Sequence, residues 1–216
     1  KTIVKTRIIA QGQQVVRLDR ENITIPSDDT VESLKQAISN SLDDMDGVIL
    51  QDYNKGVFTK GLIEWIMEQT CERSIPVYVD PKKHHFSFYS GARLFKPNLS
   101  EFITGTDDEN NLEKAGESFR LQQRFDLLMI TQGEKGMSIF SKDKFYQIAT
   151  KARAVHDVSG AGDTVIATFA LSDLCGCSPN DSAWLANLAA GRVCEEVGVV
   201  PIDRNILMEI VNHHHD

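Results

Sequence analysis

Apolar positions along this chain follow two rhythms that alternate. Short unbroken apolar runs give way to stretches in which apolar residues return every third or fourth position. Residues 1–21 read as a hairpin that turns near Gln11-Gly12. Thr30 reads as the cap of a first helix with Val31, Leu34, Ile38 and Leu42 on its buried face. Val48-Ile49-Leu50 then reads as a strand, and 59–73 as a helix with Leu62, Ile63, Ile66 and Met67 inward. Residues 75–79 form a second strand, ended by Asp80-Pro81, and Leu94-Phe95 a third. A helix over 112–119 precedes a fourth strand over 127–130. Two further strands, 137–140 and 145–148, flank a turn at Lys142-Asp143. Residues 164–174 are helical, with Ile166, Phe169, Ala170 and Leu174 on one side. Ser178-Pro179 opens a last long helix, with Trp184, Leu185, Leu188 and Val193 inside and Gly198 as its stop. Short apolar strands between helices imply an α/β protein with a doubly wound, mainly parallel sheet. No repeat or linker marks a boundary, so residues 1–216 are expected to be one domain.

That architecture gives candidate chemistry an address, because ligands bind beyond the carboxyl ends of the strands in open α/β sheets. Asp52, Asp80, Asn98, Glu101, Thr131 and Gly133 all follow predicted strands. Each could be a loop residue without duty, and Asp80-Pro81 in particular can be read as only a turn, but their recurrence at one edge favours a shared site.

The most pointed signal is Asp157-Val158-Ser159-Gly160-Ala161-Gly162-Asp163-Thr164. Gly160 and Gly162 let backbone N–H groups approach a ligand, and positive φ is expected of Gly162. A glycine turn opening a helix is an anion site, since unpaired N–H groups and the dipole point the same way. Asp163 placed there invites the role of a base that takes a proton from a hydroxyl attacking a bound phosphate. The plainer alternative is a first-turn carboxylate that favours the helix dipole. Neither standard nucleotide fingerprint is present: the third glycine of G-x-G-x-x-G would fall at Val165, and no G-x-x-x-x-G-K-[ST] occurs.

The run from Asp157 to Asp163 resembles the second signature of the ribokinase (PfkB) family of sugar kinases. Leu94-Phe95-Lys96-Pro97-Asn98-Leu99-Ser100-Glu101 is similar to that family's P-N-x-x-E element. Thr131-Gln132-Gly133-Glu134-Lys135-Gly136 is similar to its T-x-G-x-x-G nucleotide loop, and Ala186-Asn187-Leu188-Ala189-Ala190-Gly191 to the late helix beside the adenine. Within the family, Lys5-Thr6-Arg7, Gln13-Gln14-Val15-Val16-Arg17-Leu18-Asp19, Asp52-Tyr53-Asn54-Lys55-Gly56-Val57 and residues 155–167 most resemble the heptose-7-phosphate kinase module of ADP-heptose synthases.

The resemblance implies a ribokinase-like fold and ATP-dependent phosphorylation of the anomeric hydroxyl of D-glycero-D-manno-heptose 7-phosphate, toward the lipopolysaccharide core. Two alternatives stay open: another sugar or nucleoside kinase of the family, or a nucleotide-binding module without turnover. It implies that Asp163 is the base and that Gly160, Ala161 and Gly162 form the anion hole. Thr131, Gly133 and Gly136 would hold nucleotide phosphate or ribose, with Asn187 near the adenine. Asn98 and Glu101 would hold Mg²⁺ through water, and Asp157 a monovalent cation such as K⁺. Asp52 and Lys55 would face the sugar or its phosphate. Family members carry a further N-terminal segment with a glycine-pair sugar site and a small β lid. This chain starts in what resembles the later part of the fold, so N-terminal strands, lid and most sugar contacts are expected to be missing. No H-x-G-H marks an adenylyltransferase.

Composition adds limits. A formal charge of −8 argues against a nucleic-acid surface and leaves an anionic substrate to be drawn by local groups. No apolar run is long enough for a membrane span, and none reads as a secretory signal. Cys71, Cys175, Cys177 and Cys194 form no C-x-x-C pair and read as reduced thiols. The His213-His214-His215 tail reads as a tag remnant or loose end. The expected setting is cytoplasmic, with a sugar phosphate, ATP and a second copy of the chain as the partners to consider.

Overall fold

The structure, a computed structural model, describes residues 2–10, 13–21, 23–106, 111–142, 144–150, 157–196, 198 and 200–212. The expected hairpin is present as an antiparallel ribbon of β1 (Val4–Ala10) and β2 (Gln13–Arg20). Its expected turn at Gln11-Gly12 lies outside the described residues, as do Asp143 of the later turn and the histidine tail. The main sheet holds β3 (Val48–Gln51), β4 (Val77–Asp80), β5 (Leu94–Phe95), β6 (Leu127–Thr131), β7 (Met137–Phe140) and β8 (Phe145–Ile148), side by side in chain order. Strands β3 to β6 are parallel, and β7 and β8 pair antiparallel. This is the mainly parallel α/β sheet that the alternation of strands and helices implies.

Strand alternation sends side chains to two faces. On one, Leu50, Val79, Phe95, Leu128 and Ile130 meet α1 (Asp28–Leu42), α2 (Lys60–Glu72), α3 (Leu99–Thr106) and α4 (Leu112–Gln123). Phe95 and Phe125 stack there with centroids 4.4 Å apart. On the other, Tyr78, Leu94, Leu127 and Met129 are covered by α5 (Ala161–Leu174) and α6 (Pro179–Cys194). Among the described residues no helix is long and apolar enough to cross a membrane.

Four local expectations are corrected. The cap of α1 is Ser27, whose Oγ accepts from Thr30 N at 3.4 Å; Ser27 directly precedes Asp28 and Asp29, which favour the positive helix end. Helix α5 starts at Ala161, not Thr164, because Gly160 takes the left-handed cap conformation. Helix α6 stops at Cys194, short of Gly198, and α7 (Arg204–Asn212), not among the expected elements, follows. A 3₁₀ turn, Lys83–Phe88, fills the connection between β4 and β5.

One buried polar cluster ties the second layer to the sheet. The Asp173 carboxylate of α5 accepts from Arg93 Nε at 3.0 Å and Nη2 at 2.7 Å, and from the Tyr78 hydroxyl at 2.6 Å. Burial works to raise the Asp173 pKa, but hydrogen bonds from Arg93 and Tyr78 outweigh it and hold the carboxyl below its ordinary value. A depressed carboxyl contributes stability above its unfolded value, near 3.9, and loses it as pH falls through the folded value. Unfolding midpoints in urea should therefore drop as the pH is taken below about 4. Asp173→Asn should lower the midpoint at neutral pH and flatten that acid dependence; an unaltered acid limb would remove Asp173 as its source.

Candidate active site

The first turn of α5 is built by backbone conformation. Gly160 has φ 84° and caps the helix with no side-chain hydrogen bond. The positive φ expected of Gly162 belongs to Gly160 instead; Gly162 lies within the helix. A Cβ on Gly162 would stand 3.7 Å from Lys96 Nζ and 4.0 Å from Asp80 Oδ2, in ordinary contact distance. Glycine there keeps open an approach flanked by an ammonium group. Lys96 is 3% exposed and pairs with Asp80 Oδ2 at 3.0 Å, an oxygen that also accepts from Gln51 Nε2 at 2.8 Å. Asp80 is thus the half-buried ion-pair partner of a buried lysine as well as a turn residue.

Two cavities flank this turn. One, of about 830 Å³, has Gly160 and Asp163 in its wall with Asp52, Tyr53, Lys55 and Arg7. The other, of about 520 Å³, has Ala161 and Gly162 in its wall with Thr131, Gly133, Gly136 and Asn187. The helix start therefore presents a carboxylate to one cavity and glycine backbone to the other.

In the first cavity, the Tyr53 hydroxyl donates to both Asp163 oxygens, each at 3.2 Å. Burial and the neighbouring Asp163 charge push the Tyr53 phenol up, so it stays a proton donor to that carboxylate. Asp52 is only 1% exposed, and its carboxylate is occupied by His85 Nδ1 at 2.6 Å, Tyr89 hydroxyl at 3.0 Å and Asn54 N at 2.7 Å. It braces the cavity wall. Lys55 lines the same cavity and is paired with Glu21 at the end of the ribbon.

In the second cavity, Gly136 has φ 85°, and a Cβ there would fall 1.9 Å from Ile148 O. This glycine is required for β7 and β8 to close on each other. Gly133 also has positive φ, 59°, but faces open space. The Asn187 amide donates to Ala149 O at 2.9 Å, so it packs α6 against the connection after β8 while still lining the cavity.

Three expected site residues line neither cavity. Asn98 and Glu101 cap α3 reciprocally: Glu101 N donates to Asn98 Oδ1 at 2.8 Å, and Asn98 N to Glu101 Oε2 at 3.0 Å. The other Glu101 oxygen pairs with Lys82. An isolated parallel bridge sets Asn98 beside Thr131 of the second cavity. Asp157 accepts from Ser159 N at 2.9 Å, and hydrogen bonds from Ser159 hold its carboxyl below the ordinary range. Among the described residues no cluster of three or more His, Cys, Asp or Glu is gathered to hold a metal ion. Glu101 and Asn98 carry oxygens of the kind Mg²⁺ takes, and with their direct positions engaged they could hold it only through water.

The sequence motifs include Tyr53, Lys96, Lys5 and Arg7 without giving them a role in the site, and Gln51 lies outside them. Two signals were available: a lysine inside the apolar run Leu94-Phe95-Lys96-Pro97, and the period-2 placement of Ile3, Lys5 and Arg7 on one ribbon face.

The chain is similar to Bifunctional protein HldE of Syntrophotalea carbinolica, 39% identical over 218 residues covering 97% of this chain and 44% of that protein. It is also similar to Bifunctional protein HldE of Methylobacillus flagellatus, 40% identical over 208 residues, 94% and 43% respectively. The chain thus spans less than half the length of these curated relatives. In fold it is similar to phosphofructokinase-2 from Escherichia coli in complex with potassium: TM-score 0.83, 14% identity, 99% of this chain and 71% of that one. Ribokinase of Arabidopsis thaliana complexed with ribose and ATP gives a TM-score of 0.68 at 20% identity, covering 93% and 66%. These likenesses show the ribokinase-like fold expected from the motifs. Residues 1–204 match the pfkB family carbohydrate kinases, and this chain belongs to that family.

Proposed function

We propose that residues 1–216 form an ATP-dependent sugar kinase module that phosphorylates the anomeric hydroxyl of a heptose 7-phosphate in the cytoplasm. The observation that carries this reading is the position of the α5 turn between two cavities, with Asp163 facing one and Gly162 the other. The second cavity takes the nucleotide: Thr131 and Gly133 lie at its phosphates or ribose, and Asn187 near the base. The first takes the sugar.

Asp163 accepts the proton of the attacking hydroxyl, and the new bond forms between that oxygen and the γ-phosphorus as the bond to ADP breaks. Backbone N–H groups of the α5 turn, with Lys96 3.7 Å beyond the Gly162 Cβ position, meet charge on the transferred group. Tyr53 holds Asp163 in place and is displaced from its oxygens, wholly or in part, as the acceptor hydroxyl arrives. Bound Mg²⁺, held through water by Asn98 and Glu101, would neutralise phosphate charge. Asp157 would sit beside a monovalent cation. A second copy of the chain is the expected protein partner, supported by Val4, Ile8, Val16 and Leu18, which leave an apolar stripe exposed on the outer ribbon face.

The test is ADP release with a panel of acceptors: heptose 7-phosphate, fructose 6-phosphate, ribose and adenosine. Release that depends on heptose 7-phosphate above the others is expected. Preference for another acceptor would move the protein to a different branch of the family. Nucleotide binding with no release on any acceptor would make it a binding module.

A further inference from the structure

We infer that Lys82 is a resident cation at Glu101: its ammonium holds one oxygen of that carboxylate and yields it only to a hydrated divalent cation that arrives with the nucleotide. The inference rests on the reading of Asn98 and Glu101 as the Mg²⁺ residues and makes Lys82 a positioning residue for them.

Placement comes first. Strands β4 and β5 are parallel neighbours, so the segments leaving their carboxyl ends run side by side. Lys82 follows the buried Pro81 and directly precedes the 3₁₀ turn. Glu101 stands in the first turn of α3. The Lys82 ammonium meets Glu101 Oε1 between the two segments. The bridge from Asn98 to Thr131 sets this pair beside the strand end that walls the second cavity.

Partners come second. Asn98 Oδ1 accepts from Glu101 N at 2.8 Å, and Glu101 Oε2 from Asn98 N at 3.0 Å; both donors are backbone groups fixed by the start of α3. Of these three side-chain oxygens, Glu101 Oε1 is the one held by a donor on a flexible stem. It can change partners without disturbing the helix start.

Exposure comes third. Two lysine–carboxylate pairs lie beyond the ends of β4 and β5, and they differ. In the Lys96–Asp80 pair the side chains are 4% and 13% exposed, and Asp80 Oδ2 also accepts from Gln51. Breaking a pair of that kind strands a buried charge. In the Lys82–Glu101 pair the lysine side chain is 40% exposed. Its ammonium can move into water, and such a pair contributes little stability. The first pair is a fixed part of the wall; the second is exchangeable. An ammonium and a divalent cation repel each other at one carboxylate oxygen, so the metal must displace Lys82. A free ion meets that cost alone. A metal–nucleotide complex brings phosphate oxygens that offset it and face the freed ammonium.

The experiment titrates Mn²⁺, a stand-in for Mg²⁺ visible by electron paramagnetic resonance, into the full chain and its variants with and without AMP-PNP. Without nucleotide, Lys82→Met and Lys82→Gln should bind Mn²⁺ roughly five- to tenfold more tightly than the parent, within the range for coupled binding. Lys82→Arg keeps the charge and should stay near the parent. The gain should vanish when Lys82→Met is combined with Glu101→Gln, and it should shrink when AMP-PNP is saturating. Unchanged or weaker nucleotide-free Mn²⁺ binding in both Lys82→Met and Lys82→Gln would overturn the proposal. So would a gain that survives in the double variant, which would be a general charge effect, or a gain of equal size with AMP-PNP bound. Glu101→Gln with Lys82 intact reads the metal role separately: weaker Mn²⁺ binding in the presence of AMP-PNP would uphold that role whatever Lys82 does. None of these titrations needs an acceptor or turnover, so their outcome is independent of ADP release.

Discussion

Asp163→Asn should lower turnover by roughly two to four powers of ten, the range for removing a general base, while nucleotide binding persists. The substitution is close to isosteric, and its amide oxygen can still accept from the Tyr53 hydroxyl that now meets both carboxylate oxygens at 3.2 Å. The turn is held by Gly160 and not by the Asp163 side chain, so the helix start should survive. What is lost is the group proposed to take a proton in the first cavity. Steady-state ADP release and a calorimetric nucleotide titration on the same preparation separate the two effects. Turnover near that of the parent would take Asp163 out of the chemistry.

Gly136→Ala should destabilise the fold by about 3–5 kcal/mol, a loss confined to a short list of mechanisms that includes strain at a special backbone conformation. The added methyl would lie 1.9 Å from Ile148 O, 2.8 Å from Thr150 N and 2.9 Å from Ala149 C, all backbone atoms that cannot swing aside. At φ 85° the residue is strained for any L side chain as well. Gly133→Ala is the control: φ is 59°, but nothing lies within 4 Å of the new methyl. It should cost about 1–2 kcal/mol, the left-handed penalty alone. Urea unfolding of both variants reads the difference, and equal midpoints would mean that the β7–β8 closure yields more easily than its geometry implies.

What was legible in the sequence was local. The order of strands and helices follows from period, and the turn from Asp157 to Asp163 is one contiguous stretch whose glycines and acid speak for themselves. Caps were legible in kind and not in position: Ser27 and Thr30 both suit a cap, and only the backbone decides which oxygen meets a free N–H. Helix α7 escaped although Ile206, Leu207, Ile210 and Val211 keep helical spacing; it is only nine residues long and none of them is buried. The site's partnerships escaped for a different reason. Tyr53 lies 110 positions from Asp163, and nothing in either neighbourhood marks the other. Asn98 and Glu101 show the converse, a strong motif whose visible geometry is a helix cap, with ion binding left to be added to it.

The order of layers has a consequence for how the protein is assembled. Because β3 to β8 stand in chain order, the sheet can grow along one direction as the chain emerges, and helices α1 to α4 cover its first face on the way. The second face, with Tyr78, Leu94 and Met129, stays bare until α5 and α6 exist. Asp163, the proposed base, and the left-handed Gly160 ride on the piece that docks last. A transient opening that releases only this helix pair would erase the proposed reaction centre while most of the sheet stays formed. Competence is then governed by the local free energy of one late-docking unit, which can sit well below that of the whole fold.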